Sequence, residues 1–291
     1  MSSIIKRALK KFVKYFRIFS ASKVGIAGLI IIIVFLILAL GASIIAPYDP
    51  KATYVSRPFT PPGFKHLLGT DEAGRDVLSQ IIYGSQVALI VGFSAAAVST
   101  AIGTLIGLIS GYYGGAIDTV LMRITDIFLI IPMLPLAILL ALFFGPSLLN
   151  IIVLIGFLGW PGLARQIRAQ VLSLKELPFV EALHALGASS RRIIFFHLLP
   201  NISGLIFASM IGGSVGAILA ESGLAFLGLS DPRIISWGRI VARAIGSGAL
   251  VRGAWWPLVF PGLCIALLAC GFSFFSHGLM LLVSPFLRER R

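Results

Sequence analysis

Residues 24–46 read VGIAGLIIIIVFLILALGASIIA, an uncharged run longer than a helix needs to cross a bilayer, which is roughly 20 residues. Comparable stretches recur at Val87–Gly111, Ile127–Phe144, Leu148–Leu163, Ile202–Leu219 and Pro257–Val283. The fourth is the shortest and carries Trp160 and Pro161 at its end. In hydrocarbon every backbone polar group must be satisfied within the protein, so only helices and closed barrels span it. These runs are continuous rather than alternating, which selects helices. With 58% hydrophobic and only 12% charged residues, the chain lacks the roughly 25% charge of soluble domains. The expected fold is an all-α integral membrane protein of about six transmembrane helices.

Basic residues orient the spans. Lys6, Arg7, Lys10, Lys11, Lys14, Arg17 and Lys23 precede the first, and Arg288, Arg290 and Arg291 follow the last. The connection between spans four and five adds Arg165, Arg168, Lys175, Arg191 and Arg192. With Arg123, sixteen of the 24 Lys and Arg fall on one side. The positive-inside rule makes that side cytoplasmic and places both termini there. Arg233, Arg239, Arg243 and Arg252 fall outside against the trend. The expected organisation is a basic cytoplasmic segment 1–23, a first span 24–46, an external loop 47–86 and a transmembrane domain 87–285. That domain contains a cytoplasmic connection over 164–201, and a cytoplasmic tail 286–291 follows it.

The net charge of +13 flanks membrane spans, so its expected partner is anionic lipid headgroups rather than nucleic acid. Over residues 5–19, Ile5, Leu9, Phe12, Val13 and Phe16 share one helical face and lysines the other. That pattern suits a helix lying in the interface; a basic tail that only sets orientation is the other reading. The first apolar run is too long for a signal peptide and no small-residue cleavage site follows it. Cys264 and Cys270, both in the last span, are expected as small apolar fillers.

Several chemistries are missing. His66, His184, His197 and His277 form no metal-ligand or haem-pair spacing. There is no phosphate-binding Gly-x-x-x-x-Gly-Lys-Ser/Thr and no nucleophile elbow. Ion-driven carriers bury ionisable groups near the midplane. Here the charges in or near spans are few: Arg123 and Asp126 at the start of span three, and Glu221 at the outer end of span five. A transport protein of this kind is expected to be neither an enzyme nor self-powered, but a subunit.

Residues 181–201, EALHALGASSRRIIFFHLLPN, interrupt the apolar chain. Pro178 suits a first helical turn, and Glu181 to Leu186 continue it. Gly187 is placed to end the helix in the left-handed conformation, and Ser189 or Ser190 to cap a second one through Leu199. Pro200 and Asn201 are expected to terminate that helix before span five. Leu183, Leu186, Ile193 and Phe196 form a side able to rest on the membrane domain, while Ala182, Ala185 and Ala188 leave a narrow face able to enter a partner's groove. An ordinary amphipathic loop is the competing reading.

These residues resemble the EAA motif of ABC importer permeases: Glu-Ala-Ala, three residues, Gly, nine residues, Ile, one residue, Leu-Pro. Glu181, Ala182, Gly187, Leu199 and Pro200 match at that spacing, Leu183 replaces the second Ala, and His197 stands at the Ile position as in the peptide-type branch. HLLGTDEAGRDVLSQIIYGSQVAL at 66–89 and ILAESGLAFLGLSDPRIISWGR at 218–239 are similar to that branch too. Trp255-Trp256-Pro257 and the Ser-Pro-Phe-Leu-Arg ending fit loosely, and His277 stands in place of the usual acidic residue. The resemblance covers about 66–288. It implies the type I permease fold and one half of a translocation pathway, completed by a second homologous permease subunit. It further implies two cytoplasmic subunits that hold ATP and Mg, an external substrate-binding protein, and residence in a prokaryotic inner membrane. This chain itself would bind no cofactor. The bend at residues 181–187 would be the coupling helix seated in an ATPase groove, within a coupling loop of Glu181, Ala182, Leu183, Ala185, Gly187, Ala188, Ser189 and Pro200. Glu181 would orient it, Gly187 permit the bend and Pro200 fix where span five begins. Dipeptides and longer peptides are the expected cargo, with nickel and other small solutes such as oligosaccharides as the alternatives.

Other stretches carry two readings each. Gly103, Gly107 and Gly111 form a smooth face for a close helix contact, expected between subunits; the other reading is glycine's ordinary frequency in membrane helices. Asp71, Glu72, Arg75 and Asp76 form either a solvated turn with a local ion pair or, by resemblance, part of the external entrance facing the binding protein. Glu221 and Ser222 either line the pathway, where they would meet a peptide's amino group, or cap span five by snorkelling. Asp118, Arg123 and Asp126 are expected to pair with one another. A membrane anchor of an enzyme complex and a stand-alone carrier are the alternatives from other classes.

Overall fold

A computed structural model of the chain describes Phe19 and residues 22–283. The expected interfacial helix over 5–19, Phe19 apart, and the tail 286–291 lie outside the described residues. Helices account for the regular structure, with no strand among the described residues. Helix α1 (Lys23–Leu40) is N-capped by the Ser22 hydroxyl, which accepts from the Gly25 amide at 3.1 Å. A turn at Gly41 leads to the short α2 (Ala42–Ile45).

Helix α3 (Val77–Tyr113) has 37 residues, about 55 Å at 1.5 Å per residue. The apolar run expected as span two begins only at Val87, ten residues after the helix does. Asp76 fixes that end, its carboxylate accepting from the Ser79 amide at 2.8 Å.

Spans three and four are each broken. Helix α4 (Gly115–Ile130) and α5 (Met133–Phe144) meet at 86°. The continuous span expected over Ile127–Phe144 is thus corrected by Pro132, which forces the preceding Ile131 out of helical conformation, to φ −72° and ψ 123°. Helix α6 (Leu148–Gly159) joins α7 (Pro161–Lys175) with a 42° bend at Trp160–Pro161. The helical segment that starts as span four therefore continues past Leu163 to Lys175.

Helix α8 (Pro178–Ala185) is followed by α9 (Ser190–Ile193), a π turn over Ile194–Leu198 and α10 (Leu199–Phe226). Residues Ser190–Phe226 form one 37-residue helical rod. The expected stop at Pro200 is wrong. Proline lacks an N–H and its ring presses on the carbonyl four residues back. The wider π turn removes that conflict, with the Leu199 amide reaching five residues back to the Ile194 carbonyl. Helix α11 (Trp237–Gly246) lies across the far end, and α12 (Trp256–Val283) returns through the bundle.

The two long rods, α3 and α9–α10, pack along each other with α12 and α1 beside them. One apolar core joins Phe35, Ala88, Ile218, Trp237, Trp256 and Phe272 towards the far end. Another joins Leu108, Ile167, Val171, Val180, Ile193 and Leu198 beneath the elbow. Large apolar side chains such as Ile37, Leu142, Phe143 and Phe207 are exposed along the helices, as a lipid-bathed bundle requires.

Candidate functional site

The elbow between α8 and α9 closes as a Schellman turn. The Gly187 amide donates to the His184 carbonyl at 2.9 Å and the Ala188 amide to the Leu183 carbonyl at 3.0 Å. Gly187 sits at φ +76°, where a side chain meets the following carbonyl and glycine does not. Ser189 occupies the N-cap of α9, but its hydroxyl makes no capping bond, and neither does that of Ser190.

The base of the elbow is anchored. Val180, Ile193 and Leu198 are buried against Ile167, Val171 and Leu108, with Leu183 and Ala188 packed on the same cluster. His184 Nε2 lies 3.1 Å from the Tyr112 hydroxyl, their rings stacked at 6.2 Å. Lys175 Nζ donates to the Gly111 and Tyr112 carbonyls at 3.4 and 3.5 Å, satisfying the end of α3 with a cation where the helix dipole favours one. The tip is open: Glu181, Ala182, Ala185 and Gly187 are exposed. Leu186 is 83% exposed and Phe196 75%. Of the four side chains expected to rest on the membrane domain, Leu183 and Ile193 do so, while Leu186 and Phe196 point away. Pro200 lies on the exposed side of the rod.

The glycine stripe packs within the chain. A Cβ on Gly103 would come 2.9 Å from the Trp160 carbonyl oxygen, one on Gly107 2.6 Å from that of Ala164, and one on Gly111 2.8 Å from Val171 Cβ. The close partner is α7 of the same molecule, which corrects the expected contact between subunits. Two ion pairs reinforce the α4–α7 side. Arg168 holds Asp118 through Nε at 2.6 Å and Nη2 at 2.5 Å, and Arg165 Nη2 holds Asp126 at 2.5 Å. The expected pairing of Asp118 and Asp126 with Arg123 is replaced by these, because α7 presents its arginines directly across from α4.

At the far end Asp71 and Asp76 are 1% and 0% exposed, not in a solvated turn. Asp76 accepts from Ser79 and faces His66 Nδ1 at 2.9 Å. Asp71 accepts from Arg75 Nε at 2.7 Å and Gln80 Nε2 at 2.8 Å. Arg243 Nη2 donates to the Gln80 amide oxygen at 2.7 Å, and the indoles of Trp237 and Trp256 donate to the Ile81 and Thr70 carbonyls, each at 2.9 Å. The knot therefore ties loop 66–76 to α3, α11 and α12. Nearby, the Arg233 guanidinium holds Asp231 down to a pKa of about 2. Asp76→Ala removes a helix cap, worth about 1 kcal/mol, and strands the buried His66, about 1–3 kcal/mol more. The expected result is a loss of about 2–4 kcal/mol in the thermal unfolding of the purified protein.

Glu221 is 2% exposed and Ser222 is buried. The carboxylate lies 3.4 Å from the Ser222 hydroxyl and faces that of Ser236, while Gly238 presses on the Ser222 backbone. In this conformation α11 encloses the pair. Sequence reasoning missed Tyr112, Gln80, Trp237 and Arg243, whose partners lie up to 163 residues away; no local periodicity marks such contacts.

Residues 103–289 match the binding-protein-dependent transport system inner membrane component family, and residues 11–62 match the N-terminal transmembrane domain of oligopeptide transport permease C. The dipeptide transport system permease protein DppC of Bacillus subtilis is 38% identical over 269 residues, 92% of this chain and 83% of that protein. The oligopeptide transport system permease protein OppC of the same organism is 35% identical over 272 residues, 93% and 88% of the two chains. The probable D,D-dipeptide transport system permease protein DdpC of Escherichia coli is 36% identical over 267 residues, 91% and 88%.

Proposed function

Because this chain belongs to the binding-protein-dependent transport system inner membrane components, we propose that it forms one half of an ATP-driven peptide import pathway and receives the ATPase stroke at its elbow. The relatives' names support di- and oligopeptides as cargo rather than nickel. A second, homologous permease subunit supplies the other half. Two cytoplasmic subunits hold ATP and Mg, and an external binding protein delivers the peptide. The elbow end and both termini face the cytoplasm of a prokaryotic cell, as the basic residues argue.

The observation that carries this reading is the elbow's division into an anchored base and an open tip. Force applied at Leu186 has two rigid routes into the bundle. One runs through α9 into α10 without a break. The other passes through Val180, Ile167 and the glycine stripe into α3. Closure of the ATPase subunits would thus shift the population between inward- and outward-facing packings. Glu221 and Ser222, enclosed here, would meet a peptide's amino group only when α11 moves off α10. The knot of Asp71, Arg75 and Asp76 holds the external platform on which the binding protein docks.

The test uses the whole transporter in proteoliposomes. Glu181→Lys reverses the charge on the exposed first turn of α8 and touches no buried group. Import of a labelled dipeptide and binding-protein-stimulated ATP hydrolysis are expected to fall together by about tenfold or more, the equivalent of 1.4 kcal/mol of lost contact. Unchanged import and hydrolysis would remove the elbow from the mechanism.

A further inference from the structure

We propose that the guanidinium cluster of Arg239, Arg243 and Arg75 at the far end receives an acidic side chain of the external binding protein. The proposal rests on the reading above, in which this end faces outward.

Helix α11 buries Trp237, Gly238, Ile240 and Ala244. On its other side Arg239 and Arg243 stand one turn apart, a spacing at which like charges disfavour the helix unless negative charge lies over them. The structure does not supply enough of it. Glu72 is shared: Arg75 Nη2 pairs with its Oε1, and Arg243 Nε lies 3.8 Å from the same atom. Asp71 is occupied by Arg75, Gln80 and backbone amides. Asp76 is spent on His66 and Ser79, and Asp231 on Arg233. The cluster therefore sets three guanidiniums against two carboxylates.

Two donors record the deficit. Arg243 Nε is buried without a hydrogen-bond partner. Arg239 donates Nη1 to the Asp231 backbone carbonyl at 2.8 Å and has no carboxylate within ion-pair distance among the described residues. Burial and the neighbouring Arg75 lower the pKa of both Arg239 and Arg243, as expected where positive charge is undercompensated. Arg239 remains partly exposed, so an incoming carboxylate can reach it, and the planar fork binds that group with two parallel hydrogen bonds.

Height above the bilayer selects the partner. Gln80, to which Arg243 is tied, precedes the apolar run at Val87 by seven residues of continuous helix, about 10 Å. With the span beginning at Val87, as the apolar run argues, the cluster stands above the headgroups, where a soluble protein docks.

The assembled transporter in nanodiscs is titrated with its binding protein, reading stimulated ATP hydrolysis. Arg239→Ala is expected to raise the half-saturating concentration about tenfold and Arg239→Glu further, with the maximal rate kept. Arg239→Lys, which keeps the charge but not the fork, should fall between wild type and alanine. Wild-type half-saturation should rise as salt goes from about 50 to about 300 mM, and Arg239→Glu should flatten that rise. Wild-type half-saturation and salt response in Arg239→Glu would overturn the proposal. So would a loss confined to the maximal rate, which would mark a structural role. Disappearance of the shift in nanodiscs of neutral lipid alone would assign the cluster to an anionic headgroup and overturn it too. A wild-type complex that no concentration of binding protein stimulates overturns the transport reading and this inference with it.

Discussion

Gly107→Val is expected to destabilise the subunit by about 3 kcal/mol or more, the upper end of the cost of overpacking a close-packed interior. The atom in the way is not a side chain that can swing aside. The new Cβ would sit 2.6 Å from the Ala164 carbonyl oxygen and 2.7 Å from Ile167 Cβ. That oxygen belongs to the ladder of α7, so relief requires the two helices to part. Parting also opens the contacts at Gly103 and Gly111 and strains Lys175 against the end of α3. Gly162→Ala, on the same helix α7, is the control. Nothing lies within 4 Å of its Cβ, and alanine favours helix over glycine, so a change between zero and about 1 kcal/mol of stabilisation is expected. Thermal unfolding of the purified subunit in detergent separates the two. Equal melting temperatures would mean that α3 and α7 are not in close backbone contact.

The spans and the elbow were legible in the sequence because each depends on local pattern. Apolar length against bilayer thickness anticipated helices from Lys23 and from Trp256 to within a residue of where they begin, and Gly187 marked its own left-handed turn. The misreadings share one physical origin: they depend on what lies across space. Pro132 and Pro200 are the same residue type in similar apolar runs, yet one breaks its span by 86° and the other sits inside a continuous helical rod. The difference is the π turn at Ile194–Leu198, which no residue in that stretch announces. The glycine stripe signalled a close helix without saying whose, and α7 of the same chain fills it. Asp118 and Asp126 found arginines on α7 rather than Arg123 because the bend at Trp160–Pro161 swings that helix alongside α4. Asp71 and Asp76 read as either a solvated turn or part of an external entrance, since no local pattern shows that Gln80 and His66 pair with them in the interior.

Gly187→Val is expected to cut peptide import by more than about tenfold, while leaving the subunit inserted and within about 1–2 kcal/mol of its normal stability. No atom lies within 4 Å of a Cβ at this position, so the substitution acts through the backbone alone. At φ +76° a side chain costs about 1–2 kcal/mol, and a β-branched one suffers most. The cheapest escape is to leave the left-handed conformation. That breaks the Ala188–Leu183 and Gly187–His184 hydrogen bonds and unwinds the last turn of α8. Leu186, exposed at the tip, then no longer stands where a groove could grip it. The anchored side, Val180 and Ile193, is untouched, which is why folding survives and transport does not. Gly187→Asn supplies the graded comparison, because asparagine tolerates the left-handed region and often ends helices there; it should retain most of the import. Similar losses in the valine and asparagine variants would show that something other than the shape of the turn matters at residue 187. Loss in valine alone would tie transport to the angle at which α8 meets α9.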